Sequence, residues 1–295
     1  DLKDGVYIIR QISTEKQLAR ITKKELVTDP YHGLIGFKEN NHYGLLSIYG
    51  KVVIPAIYDK IAEEDYSAFQ FLGNSIGLSK GGQMIALDTL GKTVIPMGNW
   101  QGFHELDYNL MVVYQNEKVG LFKNGKQVLP CVYDAVPSYG TLSFGSEKQY
   151  DVECIQRNDS IGLIDKNGRL IVTTQYEKLY RMDDAYWIAS KNDTCTIYDI
   201  HGKLLLETDL MGVDYIQDDF ILGHKGRNFG IINWKGDVVY PFELDVFGSK
   251  IVNNTIFANK NGNWGLIRFN DILKTELCYQ SVYEPTWNTE GKCML

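Results

Sequence analysis

The sequence predicts an all-β repeat protein. The favoured arrangement is a closed β-propeller of about seven blades, and the alternative is an open β-array or solenoid. Three observations carry this reading. One phrase recurs seven times along the 295 residues: an aromatic or aliphatic residue, Gly, two Leu/Ile, three variable residues, then Gly–Lys–x–Val–Ile–Pro. Each copy reads as short β-rich runs punctuated by Gly and Asn. No copy shows the apolar spacing of a helix.

The clearest copies are Tyr43-Gly44-Leu45-Leu46 with Gly50-Lys51-Val52-Val53-Ile54-Pro55, and Val119-Gly120-Leu121-Phe122 with Gly125-Lys126-Gln127-Val128-Leu129-Pro130. Further copies open at Ile161-Gly162, Phe229-Gly230 and Trp264-Gly265. Two keep the frame without the first glycine, at Met84-Ile85-Ala86-Leu87 and Cys195-Thr196-Ile197-Tyr198. Equivalent positions fall at 44, 85, 120, 162, 196, 230 and 265, hence 41, 35, 42, 34, 34 and 35 residues apart. Units of that length with three or four strands have the size of a propeller blade. They tile the chain without a linker, so one domain is expected over residues 1–295. Residues 1–32 read as a degenerate hairpin that completes the last unit, around Leu273 to Tyr283, and closes a ring. The alternative open array calls for polar end repeats, whereas the last copy, Trp264-Gly265-Leu266-Ile267, stays apolar.

Within one unit the expected strands are Leu34–Lys38, Tyr43–Ser47 and Val52–Tyr58. A fourth is added in the longer units by segments such as Ala68–Leu72. Asn-Gly pairs, as in Lys123-Asn124-Gly125 and Lys260-Asn261-Gly262, supply the positive φ of tight hairpin turns. The strand glycine is expected to lie under a large side chain from the next unit. Proline cannot donate to a ladder, so Pro55, Pro96, Pro130 and Pro241 mark an edge, a bulge or a strand end. The last strand is expected to leave the sheet there.

These residues resemble the WG-repeat family of bacterial proteins, whose pattern runs Trp-Gly-Leu/Tyr-Ile-Asp-x-x-Gly-Lys-x-Val-Ile-Pro-Pro-x-Tyr-Asp. The resemblance covers about residues 33 to 285. Only Trp264-Gly265 is a literal Trp-Gly; Tyr43, Val119, Ile161 and Phe229 stand at the Trp position elsewhere. The closing Tyr-Asp survives as Tyr58-Asp59 and Tyr133-Asp134, and as Tyr176-Glu177. The resemblance implies a binding or scaffold role in bacteria, often in envelope or secreted proteins, and it carries over no catalytic residues.

Composition narrows the partners. The net charge is −7, and Lys51, Lys92, Lys126, Arg169 and Lys203 are spread singly beside turns. Nucleic acid, which calls for clustered Lys and Arg, is not expected as a partner. No apolar run reaches the ~20 residues of a membrane span. The chain begins at Asp1; the expectation is a removed export leader, with a lipid anchor on it as one form, and an extracytoplasmic location, whether periplasmic, cell-surface or secreted. Of Cys131, Cys154, Cys195, Cys278 and Cys293, none forms a CxxC pair, and most sit in apolar strand contexts as small buried hydrophobes.

No catalytic residue, cofactor or metal is expected. His32, His42, His104, His201 and His224 match no zinc spacing, and nucleophile-elbow, dinucleotide and P-loop patterns do not occur. The candidate binding residues come from two sets. Glu63-Glu64-Asp65, Asp183-Asp184 and Asp218-Asp219 stand in equivalent loops, a geometry that makes either an acidic rim or a plain solvated surface. Tyr49, Leu90, His201 and Trp234 stand at equivalent hairpin tips, where burial within their own blade gains little and an exposed apolar patch marks an interaction surface. The expected function is non-catalytic binding of a protein or peptide. A glycan-binding or glycan-cleaving propeller is the alternative, and a structural spacer the third reading.

Overall fold

In the computed structural model the residues described are 2–3, 6–11, 13–22, 24–28, 30, 32–61, 71–72, 75–106, 110–136, 152–248, 255–268, 280, 286–287 and 293–294. Among them are strands and turns but no helix, so no helix is long and apolar enough to cross a membrane. The chain falls into two compact units: residues 1–158 with 163–171, and residues 159–162 with 172–295.

The first unit opens with a sheet ordered β1 (Leu2–Lys3), β2 (Val6–Arg10), β3 (Gln17–Thr22). The second sheet is an antiparallel meander of β4 (Glu25–Leu26), β5 (Leu34–Glu39), β6 (His42–Ser47) and β7 (Val52–Tyr58). In the third, β8 (Lys60–Ile61) and β9 (Phe71–Leu72) share the first place against β10 (Ser75–Lys80), followed by β11 (Gln83–Asp88) and β12 (Thr93–Gly98). The fourth is β13 (Gly102–Leu106), β14 (Leu110–Gln115), β15 (Lys118–Lys123) and β16 (Lys126–Tyr133). The division into units runs through the fifth, β17 (Val152–Arg157), β18 (Ser160–Asp165) and β19 (Leu170–Tyr176). The second unit adds β20 (Lys178–Met182), β21 (Tyr186–Lys191), β22 (Thr194–Asp199) and β23 (Leu204–Thr208). After these come β24 (Gly212–Gln217), β25 (Phe220–Lys225), β26 (Asn228–Asn233) and β27 (Val238–Leu244), and then β28 (Val246–Phe247), β29 (Thr255–Lys260) and β30 (Asn263–Arg268). The expected partner of the N-terminal hairpin, around residues 273–283, lies outside the described residues apart from residue 280.

The paired apolar residues after each strand glycine are explained by strand geometry. Successive side chains of a strand point to opposite faces, and both faces are covered here. Leu45 packs with Ile76, Leu78 and Leu87 of the following sheet. Its neighbour Leu46 packs with Ala19 and Ile21 of the preceding one. Leu121 and Phe122 divide in the same way between two clusters, as do Ile231 and Ile232 in the second unit. Each such side chain taken fully out of water stabilises by about 1.5–3 kcal/mol.

The glycine and the proline of the repeat form one device. Tyr43 faces Tyr58 and Leu45 faces Ile54, so Pro55, Ala56 and Ile57 stand opposite Gly44 alone. The same wide bulge sets Pro130–Val132 against Gly120 and Pro241–Glu243 against Gly230. A Cβ at Gly44 would lie 2.6 Å from the Ile54 carbonyl oxygen and 2.7 Å from the Ala56 nitrogen. The expected cover by a side chain of the next unit is therefore corrected: the bulged backbone of the same sheet closes over the glycine. The fourth strand also does not leave at its proline, because each proline lies within the strand, at the bulge, where it has no ladder bond to make. The two copies without this glycine support the account. Ile85 faces only Pro96 and Met97, one residue fewer. Thr196 faces Glu207 in plain register, and no proline follows.

The closing Tyr-Asp joins one sheet to the next. Asp59 lies between β7 and β8, and its Oδ2 accepts the Gly81 N–H at 2.6 Å in the β10–β11 turn. Asp134 Oδ2 accepts the Asn158 N–H at 2.5 Å in the β17–β18 turn. In the second unit Glu177 does the same for Asn192 at 3.2 Å and Asp245 for Asn261 at 2.5 Å. Gln101 and Met211 stand in the same place with an amide oxygen and a thioether, accepting from Glu117 and Gly226. Five of these six acceptors follow a buried residue, Tyr58, Tyr133, Tyr176, Leu210 or Leu244, and Gln101 follows the half-buried Trp100. The receiving turns hold positive φ at both central residues at Asn158-Asp159, Asn192-Asp193 and Asn261-Gly262, the geometry that matches the twist of a two-residue hairpin.

Candidate binding surface

At the opposite end of each meander lie the turns that carry the tip residues. In five of the sheets the turn before the last strand has a fixed frame, whereas β15 and β16 are joined by the two-residue turn Asn124-Gly125. Asp88 Oδ1 accepts the N–H groups of Leu90 and Lys92 at 2.9 and 2.8 Å. Asp165 caps Asn167 and Arg169, Asp199 caps His201 and Lys203, and Asn233 caps Lys235 and Asp237 in the same manner. Ser47 takes the place in the second sheet, with Lys51 at 3.2 Å. A glycine in the left-handed region closes each turn, with φ of 80° at Gly50, 82° at Gly91 and 81° at Gly202. Gly168 (φ 75°) has a further reason to lack a side chain: a Cβ there would come 2.6 Å from Val128 and 3.0 Å from Leu110 of the preceding sheet.

On this constant frame one position varies and projects into solvent. It holds Tyr49 at 69% exposure and Leu90 at 85%, and also Asn167, His201 and Lys235, all exposed. Trp234 is different. It stands one residue earlier in its turn, at the place of Ile48, Thr89, Lys166 and Ile200, and it is half-buried against Ile188, Leu210, Ile221 and Ile232. Its indole N–H donates to the Asp218 carbonyl oxygen at 2.9 Å, and its ring centroid lies 5.6 Å from that of Tyr186. Trp234 thus ties two sheets of the second unit together, and its place as an exposed tip is corrected.

Asp183-Asp184 and Asp218-Asp219 occupy equivalent turns between first and second strands, and all four are exposed. Asp183 and Asp218 hold φ of 49° and 50°, a conformation that Asp tolerates better than most residues. Of the predicted residues, Trp234 and Asp218 are in direct contact. The related Glu63-Glu64-Asp65 lies outside the described residues. Among the described residues no three His, Cys, Asp or Glu side chains gather as a metal site.

Sequence reasoning missed a cavity of about 400 Å³ in the first unit, beside Leu90. Its walls include Leu90, Val94 and Met111, with Asp88, Lys92 and Glu105 at its polar side. Glu105 comes from β13 and Met111 from β14, so the lining joins two sheets and no local spacing announces it. The buried groups elsewhere are structural. The Tyr176 and Tyr198 hydroxyls meet at 2.5 Å, and burial, followed by that hydrogen bond, raises the Tyr198 phenol. Cys154 and Cys195 are buried, Cys131 is half-buried, and all three are free thiols; burial pushes each above the ordinary thiol range, Cys154 to about 12.

The molecule is thus an all-β protein of multiple antiparallel sheets built on one internal repeat. Within it, residues 161–195 match the family model described as "WG containing repeat". No curated protein matches this chain. Three similar solved structures are the dihydro-heme d1 dehydrogenase NirN in complex with DHE, apo AztD from Citrobacter koseri, and Kluyveromyces lactis Hsv2. NirN is 13% identical over 92% of this chain and 70% of that one, with a TM-score of 0.30. AztD is 13% identical over 92% and 91%, at 0.29. Hsv2 is 9% identical over 92% and 90%, at 0.27.

Proposed function

We propose that this chain is a non-catalytic scaffold that binds a protein or peptide. Its four-stranded sheets act as blades of one propeller domain of about seven blades, in a bacterial, extracytoplasmic setting. One observation carries the binding role. A single turn frame, held by an equivalent cap and a left-handed glycine, presents a different exposed side chain in five of the sheets, two of them large and apolar, at Tyr49 and Leu90. A core role does not account for side chains so exposed, and repeat proteins place their variable positions on the binding face. The other end of each sheet is occupied by the Asp–turn bonds that join repeats. In the second unit Asp183, Asp184, Asp218 and Asp219, exposed in turns between first and second strands, favour a basic partner segment, with His201 at a tip turn.

The second reading, glycan binding or cleavage, is favoured by Asp88 and Glu105 lining one cavity, as paired carboxylates are the usual apparatus of glycoside hydrolysis. A displayed peptide library and a glycan array, each probed with wild type and with a Tyr49→Ser/Leu90→Ser variant, separate the two readings. Peptides that bind wild type and lose the variant support the scaffold reading. Peptide binding indifferent to the variant, or binding to glycans alone, overturns it.

A further inference from the structure

The fourth strand is the edge of each meander, and edges need protection from pairing with other chains. Five of the six closing strands β7, β12, β16, β19, β23 and β27 carry a device, β19 being the third strand of its described sheet. β7, β16 and β27 have both a proline and a wide bulge opposite glycine. β12 has Pro96 and a shorter bulge. In β19 the Val172 carbonyl and the Thr174 nitrogen close over Gly162 in the same way. β23 has neither: Leu206, Glu207 and Thr208 face Ile197, Thr196 and Cys195 in unbroken register. It keeps only the single-residue offset at Leu205, which β7, β12, β16 and β27 show at the matching place. Leu204 and Leu205 are exposed at 49% and 38%.

We propose that β23 is an open pairing edge, and that its occupant is β23 of a second copy of this chain, added antiparallel about a two-fold axis. The sequence Lys203-Leu204-Leu205-Leu206-Glu207 is complementary to itself in that arrangement. Centred on Leu205, the pair sets Lys203 of each copy opposite Glu207 of the other and Leu204 opposite Leu206. Opposite charges directly across an antiparallel pair are favourable and like charges unfavourable. A two-fold contact uses the same patch on both subunits, so one short segment supplies both halves of the seam and joins two four-stranded sheets into one.

Sedimentation velocity over the micromolar to high-micromolar range tests this on the full chain. Wild type is expected to show a concentration-dependent dimer. Leu204→Lys/Leu205→Lys should be monomeric with an unchanged circular-dichroism melt. Lys203→Glu, which sets Glu against Glu twice, should weaken association by about tenfold or more, and Lys203→Glu/Glu207→Lys should restore it. A wild type that stays monomeric throughout overturns the proposal, as does a dimer indifferent to Lys203→Glu or a double exchange that fails to restore association. Should the leucine variant misfold, the charge pair, confined to exposed positions, still decides.

Discussion

The Asp134 carboxylate accepts the Asn158 N–H at 2.5 Å while Lys118 donates to its other oxygen. The residue that ends one sheet thereby closes the central turn of the next. The Lys118 hydrogen bond first, and the Asn158 N–H second, hold the Asp134 carboxyl below the ordinary carboxylate range. A carboxylate depressed in the folded state stabilises at pH values above its unfolded pKa, about 3.9, and loses that contribution as pH falls through the folded value. Asp134→Asn, which keeps an acceptor and loses the charge, should therefore melt below wild type at pH 7 and converge with it as pH falls through the lowered folded-state value. The check is a thermal melt across that range, and parallel curves at every pH would contradict the assignment.

The Asp245–Asn261 bond allows a second test of the same joint. Asp245→Ala should cost about 1 kcal/mol in urea unfolding. It should also speed hydrogen exchange at the Asn261 amide selectively, which a general loss of stability would not do.

Glycine is required where the wide bulge crosses. A Cβ at Gly120 would lie 2.9 Å from both the Leu129 oxygen and the Cys131 nitrogen, neither of which can move without breaking the bulge. Gly120→Ala should cost about 2 kcal/mol or more. At position 196, where no bulge exists, the opposite exchange, Thr196→Gly, should cost only about 1 kcal/mol. Chemical denaturation of the two variants side by side decides.

The two kinds of tip residue should separate sharply. Tyr49→Ser and Leu90→Ser should leave stability within about 0.5 kcal/mol of wild type. Trp234→Ala, which removes a half-buried ring and an indole hydrogen bond, should cost about 3 kcal/mol. Calorimetry of the three variants is sufficient.

Cys154 and Cys195 should resist thiol reagents at neutral pH in the native protein, because burial holds both as thiols and the thiolate is the reactive form. Peptide mapping after labelling should find these two modified only after unfolding, with half-buried Cys131 labelled slowly before it.

Much of this architecture was legible because the repeat states it in residue types that have few physical uses. The Asn-Gly pairs at Gly125 and Gly262 announce left-handed turns, and the short β-rich runs between them announce strands. The Gly44–Pro55 relation was half legible. Each residue signals a departure from the regular ladder, yet that one is the cause of the other depends on strand register, which no single-strand pattern contains. Asp59 was visible as part of an echo, but its partner at Gly81 stands in the next sheet. Trp234 and Tyr49 read alike as hairpin tips; the difference of one place in a four-residue turn sends the first against a core and the second into water. The Leu90 cavity was hidden for the same reason, since Glu105 and Met111 come from another sheet.

The opposed directions of Leu45 and Leu46 make the second sheet a shared wall, with no interior of its own. A void opened at either leucine falls on a boundary that belongs jointly to that sheet and one neighbour, so harm at one position is felt two repeats wide. For the same reason the natural step of growth or loss along this stretch of the chain is one whole repeat, which brings or removes a complete pair of facings, whereas a part of a repeat leaves one side bare.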